Sequence, residues 1–203
     1  MVVQGVVSAP QPPPQPRPDP AAAASRPQES LAAARPLDYS LPLRIRVKRL
    51  GITAAIRPVG LNPDGTVEVP GPEQAEDAGW YKAGAAPGQA GPAVVLGHVD
   101  SAVLSGGRAA FYTLGAAREG DRVEVDRADG ITARFTVDAV TVVAKSRFPT
   151  RAVYGPTDTA QLRLITCGGN FSTTSGYSAN VIVYAHFSGS VPTEPIPPAR
   201  PGR

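Results

Sequence analysis

Apolar and polar residues alternate along several stretches between residues 43 and 187, which is the pattern of β-strands that bury one face. In the first stretch Leu43, Ile45 and Val47 alternate with three basic residues. Residues 131–143 begin with strict alternation and continue as a mostly apolar run. We predict a half-buried strand in the first case and one long or bent strand in the second.

Residues 92–97 are apolar throughout apart from a glycine, which is typical of a strand covered on both faces. Further strands are predicted over residues 52–59, 66–69, 79–81, 121–125, 161–167 and 180–186. A helical turn is predicted at residues 111–114, and loops are predicted at 146–158 and 168–178. About eight short strands separated by turn signals predict an all-β fold, a closed or nearly closed β-barrel.

The two ends of the chain differ from its middle in composition. Residues 1–42 consist mainly of Pro, Ala, Gln and Arg, and consecutive prolines such as Pro12 to Pro14 favour extended polyproline II. Little of this segment can be buried, so we expect a disordered spacer. Residues 189–203 are again rich in proline and are expected to form a flexible tail. The folded domain is therefore predicted to span residues 43–188.

Composition narrows the possible function classes. The 203-residue chain has a net charge of only +3 and 6% aromatic residues, so a basic, aromatic-lined nucleic-acid surface is not indicated. No apolar run reaches the roughly 18 residues of a membrane span, although an anchor upstream of this sequence would leave no trace in it. One cysteine and two distant histidines do not supply a zinc site, and the acidic residues at 73–77 lack a calcium-loop pattern. We expect neither a metal nor another cofactor.

The single cysteine occupies a position that suits a reactive thiol. Cys167 ends an apolar strand and is followed by Gly168 and Gly169, so it would be held rigidly and still reach the surface. The alternative is a structural role, because free cysteine is usually buried as a small apolar residue. A nearby histidine favours the nucleophile, since an imidazolium lowers the pKa of a thiol.

Both histidines end predicted strands. His98 follows Gly97 and precedes a polar turn at Asp100, which leaves it at the mouth of a buried strand. His186 precedes the proline-rich tail and is expected to be an edge histidine. A cysteine and a histidine that each end an apolar strand can meet at one rim of a barrel. His98 is therefore predicted to be the partner of Cys167.

Two motifs resemble those of the sortases, which are cysteine transpeptidases that attach proteins to the cell wall of Gram-positive bacteria. They are Leu164-Ile165-Thr166-Cys167, with a strand following, and Leu96-Gly97-His98-Val99-Asp100-Ser101 upstream. The Cys-Gly-Gly and Gly-His-Val-Asp-Ser segments are most similar to the class E/F sortases of actinobacteria. The resemblance covers residues 43–187 and implies an eight-stranded β-barrel of the sortase type with short helical turns.

The resemblance also implies a mechanism. Cys167 would attack the Thr–Gly amide of an LPXTG-like sorting signal, and His98 would be its ion-pair or hydrogen-bonding partner and protonate the leaving amine. An amine of a peptidoglycan precursor, or another amine, would resolve the thioacyl enzyme into a new amide. Thr166, Arg151 and Ser178 are the substrate-binding candidates. The enzyme would act as a monomer on the extracytoplasmic face of the membrane, held by an upstream anchor.

The chain departs from the sortases at one position. Sortases carry an arginine near the start of the last strand, which holds the substrate and stabilises the oxyanion. Here Asn180 occupies that position, or Ser178 if the class F pattern is followed. Four arginines elsewhere are candidates to replace it, namely Arg108, Arg147, Arg151 and Arg163. The departure leaves two alternatives open: a catalytically weak sortase-like module that binds peptides, and an enzyme that only hydrolyses.

Overall fold

The computed structural model describes residues 14, 34–174 and 176–194, and the strands among them close into a barrel. The strands are β1 (Pro42–Val47), β2 (Ile52–Val59), β3 (Ala78–Tyr81), β4 (Gly91–Gly97), β5 (Arg122–Arg127), β6 (Ile131–Ala144), β7 (Ala160–Ser172) and β8 (Gly176–Pro192). Around the barrel they follow the order β1-β2-β3-β4-β7-β8-β6-β5. The predicted all-β, eight-stranded barrel is confirmed.

The helices are short and lie in the connections. The described residues include one α-helix, α1 (Thr150–Tyr154), and four 3-10 turns at Lys48–Leu50, Pro72–Gln74, Leu114–Ala116 and Lys145–Arg147. α1 falls within the predicted loop at 146–158 and escapes sequence prediction because it is little more than one turn long. The helical turn predicted at 111–114 begins at Leu114 instead. None of these helices is long and apolar enough to cross a membrane.

Two parallel pairs interrupt an otherwise antiparallel barrel. β2 pairs with β3 in parallel, and β4 pairs with β7 in the same way. In the second pair Leu96 lies opposite Ile165, and both strands run toward the same rim. β8 is antiparallel to β7, with Asn180 opposite Cys167. The ends of β4 and β7 and the beginning of β8 therefore meet at one rim of the barrel.

Apolar side chains form two layers, because alternate residues of a strand point to opposite faces of the sheet. The barrel interior is filled by buried residues from all eight strands, and Trp80, Phe111 and Phe135 are its largest fully buried side chains. A second apolar cluster, called the outer cluster below, covers the outer face of β4, β7 and β8 around Ile165 and Val153. Val153 belongs to α1, so this helix packs on the barrel just below the rim described above.

The alternation predicted for β1 holds over most of the strand. Ile45 and Val47 are buried, but Leu43 is 51% exposed. The register between β1 and β5 shifts between Pro42 and Arg44, so the alternation that places Ile45 inside does not extend to Leu43. β6 is one long strand, as its pattern predicted, with two irregularities in its pairing with β8.

The prediction of a strand at residues 66–69 is wrong. Only an isolated bridge between Leu61 and Val67 forms there. The backbone N–H of Asn62 donates to the carbonyl of Thr66 at 2.7 Å, which closes a tight turn. Because this turn brings only one residue pair into register, no ladder follows it.

The prediction of a loop at residues 168–178 is also wrong. β7 continues to Ser172 and β8 begins at Gly176, so the two strands pair almost up to their connection. β8 then extends to Pro192, past the boundary predicted at residue 188, because β6 offers pairing partners along this length. Small polar residues occupy these segments, so a pattern of hydrophobicity does not reveal their strands.

Residues 34–41 lie against the barrel ahead of β1. The backbone N–H of Leu37 donates to the carbonyl of Gly88 at 2.8 Å. The buried guanidinium of Arg127 donates to the carbonyl of Asp38 at 2.7 Å. The end of the predicted spacer is thus bound at the rim opposite to the ends of β4 and β7. Most of the predicted spacer and the last part of the predicted tail lie outside the described residues.

Candidate active site

The rim formed by β4, β7 and β8 brings the only cysteine and His98 together. Leu96 and Ile165 are opposite each other in the parallel β4–β7 pair. Continued two residues further, just past the end of β4, the same register predicts that His98 lies beside Cys167. Neighbouring strands lie about 4.8 Å apart, so the two side chains are adjacent when they leave the sheet on the same side.

Both side chains leave the sheet on the outer side of the barrel. Leu96 and Ile165 belong to the outer cluster, and residues two apart on a strand point the same way. His98 and Cys167 are therefore the next outward-facing residues beyond this cluster. Both are half-buried. The thiol is thus held within β7, just beyond the last residue pair of its ladder with β4, and is still open to a substrate that approaches from outside.

Gly97 allows the chain to pass close to Phe111 just before His98. A Cβ atom at residue 97 would lie 2.7 Å from a ring carbon of Phe111, which is fully buried. No side chain fits at that distance, so glycine is required here. The backbone N–H of Phe111 also donates to the carbonyl of His98 at 2.9 Å. The ring and this bond together hold the backbone from which the imidazole projects.

The imidazole of His98 is held by the segment that precedes β3. Its Nε2 lies 2.7 Å from the carbonyl oxygen of Pro70. A carbonyl oxygen can only accept, so Nε2 carries the hydrogen of this bond. In the neutral ring Nδ1 is then the nitrogen that can take up a proton. No sequence motif signals this contact, because Pro70 lies in a separate loop of the chain.

Thr166 ties β4 to β7 directly beneath the site. Its hydroxyl donates to the carbonyl of Gly97 at 2.8 Å, and the residue is 3% exposed. Thr166 faces the barrel interior, whereas Cys167 faces outward. The side chain of Thr166 therefore links the two strands from the inner side, and the substrate-binding role suggested for it stays a prediction.

The surroundings of Cys167 favour its neutral thiol. Burial raises the pKa of Cys167, the ammonium group of Lys145 lowers it, and the carboxylate of Asp100 raises it further. The net change is upward. At neutral pH the resting site therefore holds a thiol, and a base has to take its proton when the sulfur attacks.

Asp100 and Tyr177 form a hydrogen-bonded pair beside the thiol. The hydroxyl of Tyr177 donates to the carboxylate of Asp100, which joins the segment after β4 to β8. Burial and this carboxylate raise the pKa of Tyr177, so the hydroxyl stays protonated. Asp100 is part of the sequence motif around His98. Tyr177 has no sequence signal, because it lies in the stretch that was predicted to be a loop.

The two positions considered for the arginine of sortases differ in their surroundings. Asn180 is directly opposite Cys167 in the β7–β8 register and is half-buried. Ser178 is exposed, and its hydroxyl accepts a hydrogen bond from the backbone N–H of Asn170 at 3.1 Å. Asn180 can thus offer a neutral amide donor next to the thiol, whereas Ser178 shapes the β7–β8 hairpin.

Arg163, a candidate to replace the arginine, lies on the same outward face as Cys167 but has other partners. It is 7% exposed, and its guanidinium lies over the ring of Tyr184 at 4.8 Å from the ring centre. Its Nε donates to the carbonyl of Ala152 in α1 at 3.3 Å. Arg163 therefore anchors α1 to the barrel below the site.

The other three candidate arginines are on the surface. Arg108 lies over the ring of Tyr112, 5.0 Å from its centre. Arg147 and Arg151 are exposed, the first on a 3-10 turn and the second on α1. Arg151, predicted to bind substrate, points away from the outer cluster, because Val153 fills that side of the helix. In the described part of the chain, none of these guanidinium groups is hydrogen-bonded to the thiol or the imidazole of the site.

His186 lies at the other end of the barrel. It is opposite Gln161, near the beginning of β7, and its Nδ1 is 2.5 Å from the carboxylate of Asp138. His186 therefore lies within β8, paired on both sides, and does not end the last strand as predicted, because β8 continues to Pro192. Over residues 34–174 and 176–194, no group of three or more His, Cys, Asp and Glu side chains is arranged to hold a metal ion.

Comparison with known proteins agrees with this fold. The sequence model of the Sortase domain matches residues 45–188. A lid mutant of sortase A from Corynebacterium diphtheriae is 21% identical, with a TM-score of 0.56 and coverage of 75% of this chain and 73% of that chain. The SrtA sortase from Actinomyces oris is 17% identical, with a TM-score of 0.54 and coverage of 77% and 84%. Sortase A from Listeria monocytogenes is 15% identical, with a TM-score of 0.55 and coverage of 77% and 92%. No curated protein matches the chain.

These results define the class of protein. The family match extends over most of the barrel, and the solved sortases share its fold. The chain belongs to the sortase family, whose members are cysteine transpeptidases. Its greater similarity to the class E/F sortases stays a prediction.

Proposed function

We propose that this protein cleaves an LPXTG-like sorting signal between Thr and Gly and joins the new C-terminus to a cell-wall amine. The observation that carries the proposal is the parallel register of β4 and β7, in which Leu96 lies opposite Ile165 on the outer face and His98 and Cys167 each follow two residues later. This arrangement supplies a nucleophile and a base at a surface that an extended peptide can reach.

Acylation begins when the sulfur of Cys167 attacks the carbonyl carbon of the Thr–Gly amide. Because the pKa of the thiol is raised, its proton passes to Nδ1 of His98 during the attack, while Nε2 stays bonded to Pro70. The amide of Asn180 donates to the substrate oxygen as it becomes negative. The C–N bond then breaks, His98 gives its proton to the leaving amine, and the peptide remains on the sulfur as a thioester.

Deacylation uses the same groups in reverse. An amine attacks the thioester, loses a proton to His98, and Cys167 leaves as a thiol. One amide has been broken and one formed, so no external energy source or cofactor is required. The amine belongs to a peptidoglycan precursor on the extracytoplasmic face of the membrane, where a monomeric enzyme is held by an anchor upstream of this sequence.

The test is the intact mass of the protein after incubation with an LPXTG-type peptide. We expect a mass gain equal to the peptide up to its Thr, no gain for Cys167→Ala, and about a hundredfold slower acylation for His98→Ala. His186→Ala is the matched control, because this histidine lies at the opposite end of the barrel, and it is expected to react at the normal rate. Substantial ligation by either active-site variant contradicts the assignment.

A catalytically weak module that binds sorting-signal-like peptides is the second candidate function. It is favoured by the raised pKa of Cys167 and by the neutral residues Asn180 and Ser178 at the position of the sortase arginine. Alkylation by iodoacetamide near neutral pH separates the two functions. Prompt labelling of Cys167 supports an enzyme, whereas a thiol that stays unlabelled, with peptide bound but no adduct, supports the binding module.

Hydrolysis without ligation is distinguished by adding an amine to the reaction. If the thioester is resolved by the amine, a ligated product of the expected mass accumulates. If the peptide acid is the only product at high amine concentration, the protein is a hydrolase that uses the same thioester.

A further inference from the structure

The reaction proposed above places negative charge at Cys167, first on the sulfur and then on the substrate oxygen. The site is partly buried, and the carboxylate of Asp100 already acts on the thiol. Negative charge in such a place is costly without a positive partner. Asn180, the residue of β8 opposite Cys167, is neutral, and so is Ser178, the other position considered for the arginine of sortases.

A neighbouring strand brings a cation to this rim. Val143 of β6 lies opposite Asn180 of β8, and Asn180 lies opposite Cys167 of β7. The three residues therefore form one row across three strands, each strand about 4.8 Å from the next. Lys145 follows two residues after Val143, where β6 ends and a 3-10 turn begins.

Lys145 lies on the same side of the barrel as the thiol. Val143 packs against the outer cluster, which places this end of β6 on the outer face. The ammonium group of Lys145 is exposed and forms no ion pair with a carboxylate anywhere in residues 34–174 and 176–194. Its charge lowers the pKa of Cys167, against the upward effects of burial and Asp100.

We infer that Lys145 is the cation of this active site, and that its ammonium group stabilises the thiolate of Cys167 and the negative charge on the substrate oxygen during acylation. Lys145 acts through its charge, from the end of β6. Other sortases use the guanidinium of an arginine on the last strand for this purpose. The part that concerns the substrate oxygen depends on the proposed function. The part that concerns the thiolate is a property of the free protein.

The experiment measures the rate of Cys167 alkylation by iodoacetamide against pH. For Lys145→Gln we expect a higher pH midpoint and about two- to fivefold slower alkylation near pH 7, the size of effect of one exposed charge. The difference should shrink at high salt, since exposed charges are screened. Lys145→Arg keeps the charge and is expected to keep the midpoint. Arg147→Gln removes a charge from the same 3-10 turn and should leave the midpoint unchanged.

Two results overturn the inference: an unchanged midpoint in Lys145→Gln, and an equal shift in Arg147→Gln. Alkylation requires no sorting signal, so its outcome is independent of whether the thioacyl adduct forms. The inference can therefore fail while the proposed function holds, and the reverse is also true. With a peptide that acylates the protein, Lys145→Gln is expected to lower kcat while KM changes little, because the charge acts on the transition state.

Discussion

Two side chains of opposite charge, Lys145 and Asp100, change the pKa of the Cys167 thiol in opposite directions. Single substitutions can measure the effect of each charge separately. Asp100 follows β4 and Lys145 ends β6, so they approach Cys167 from different sides of β7. The pKa of Cys167 is raised overall because burial and Asp100 outweigh Lys145. A thiol that stays neutral at rest is also less open to oxidation, which follows thiolate character.

We expect Asp100→Asn to make Cys167 more acidic. The variant removes a carboxylate that raises the pKa of Cys167, so the thiolate fraction at neutral pH increases. Alkylation by iodoacetamide near pH 7 should be about two- to fivefold faster, with a lower pH midpoint. Tyr177→Phe is the control, because it removes the hydrogen bond to Asp100 and keeps the negative charge. A midpoint that falls equally in both variants would show that the charge is not the cause.

At the scale of secondary structure, β4 and β7 together support the backbone from which Cys167 and His98 project. They are joined by their parallel ladder and by the bond from Thr166 to the carbonyl of Gly97. Phe111 packs under Gly97 and binds the backbone of His98. Cys167 and His98 thus project from a rigid pair of strands, which is the condition for a precise reaction geometry.

Gly97→Ala is expected to disturb this support. The added methyl would lie 2.7 Å from the buried ring of Phe111, so the protein should lose about 1–3 kcal/mol of unfolding free energy through overpacking. His98 should shift with the backbone, and acylation should slow at temperatures where the variant remains folded. The measurements are urea unfolding and the rate of adduct formation.

Gly84→Ala is the matched control for this variant. A Cβ at residue 84 would lie 3.5 Å from its nearest neighbours, which is ordinary van der Waals contact. The control is expected to keep both stability and acylation rate. Normal acylation by Gly97→Ala would show that the packing of Phe111 does not position His98.

At the scale of the whole molecule, the two rims of the barrel differ in the residues that they hold. One rim carries Cys167 and His98, and the other binds residues 34–41 through Arg127. The side chain of Arg127 is buried and donates to the carbonyls of Pro87 at 2.6 Å and Asp38 at 2.7 Å, and to the carboxylate of Asp129. A cleft of about 430 Å³ lies beside this segment, away from the thiol.

Arg127→Ala is expected to destabilise the protein by about 2–4 kcal/mol, because it removes a buried side chain and leaves the buried carbonyl of Pro87 and the part-buried carbonyl of Asp38 without this donor. Urea unfolding measures this loss, and limited proteolysis should cut residues 34–41 more readily. Arg134→Ala is the control, since its ion pair with Glu124 is partly exposed, and it should cost no more than about 1 kcal/mol. The rate of Cys167 alkylation should be unchanged in both variants, because the site is at the opposite rim. A slower rate in Arg127→Ala would mean that the two rims are coupled.

Several elements could be predicted from the sequence because their signals are local. The alternation over residues 131–143 corresponds to β6, and the apolar run at 92–97 corresponds to β4. The thiol and the imidazole were identifiable as candidates because each ends an apolar run of the sequence, although β7 itself continues past Cys167 to Ser172. The prediction of a strand at 66–69 was wrong because one short turn competes with strand pairing there. The hairpin after Cys167 was not predicted because small polar residues occupy it.

The sequence by itself therefore determined the strands that bury apolar residues and indicated Cys167 and His98 as the residues proposed to carry the chemistry. Only the tertiary structure decided what surrounds that pair. Pro70 orients His98, Asn180 lies opposite Cys167, and Lys145 approaches from β6. The physical reason is that these contacts depend on which strands are neighbours and in which register they pair. Such pairings join residues far apart in the chain, so no local pattern of residues records them.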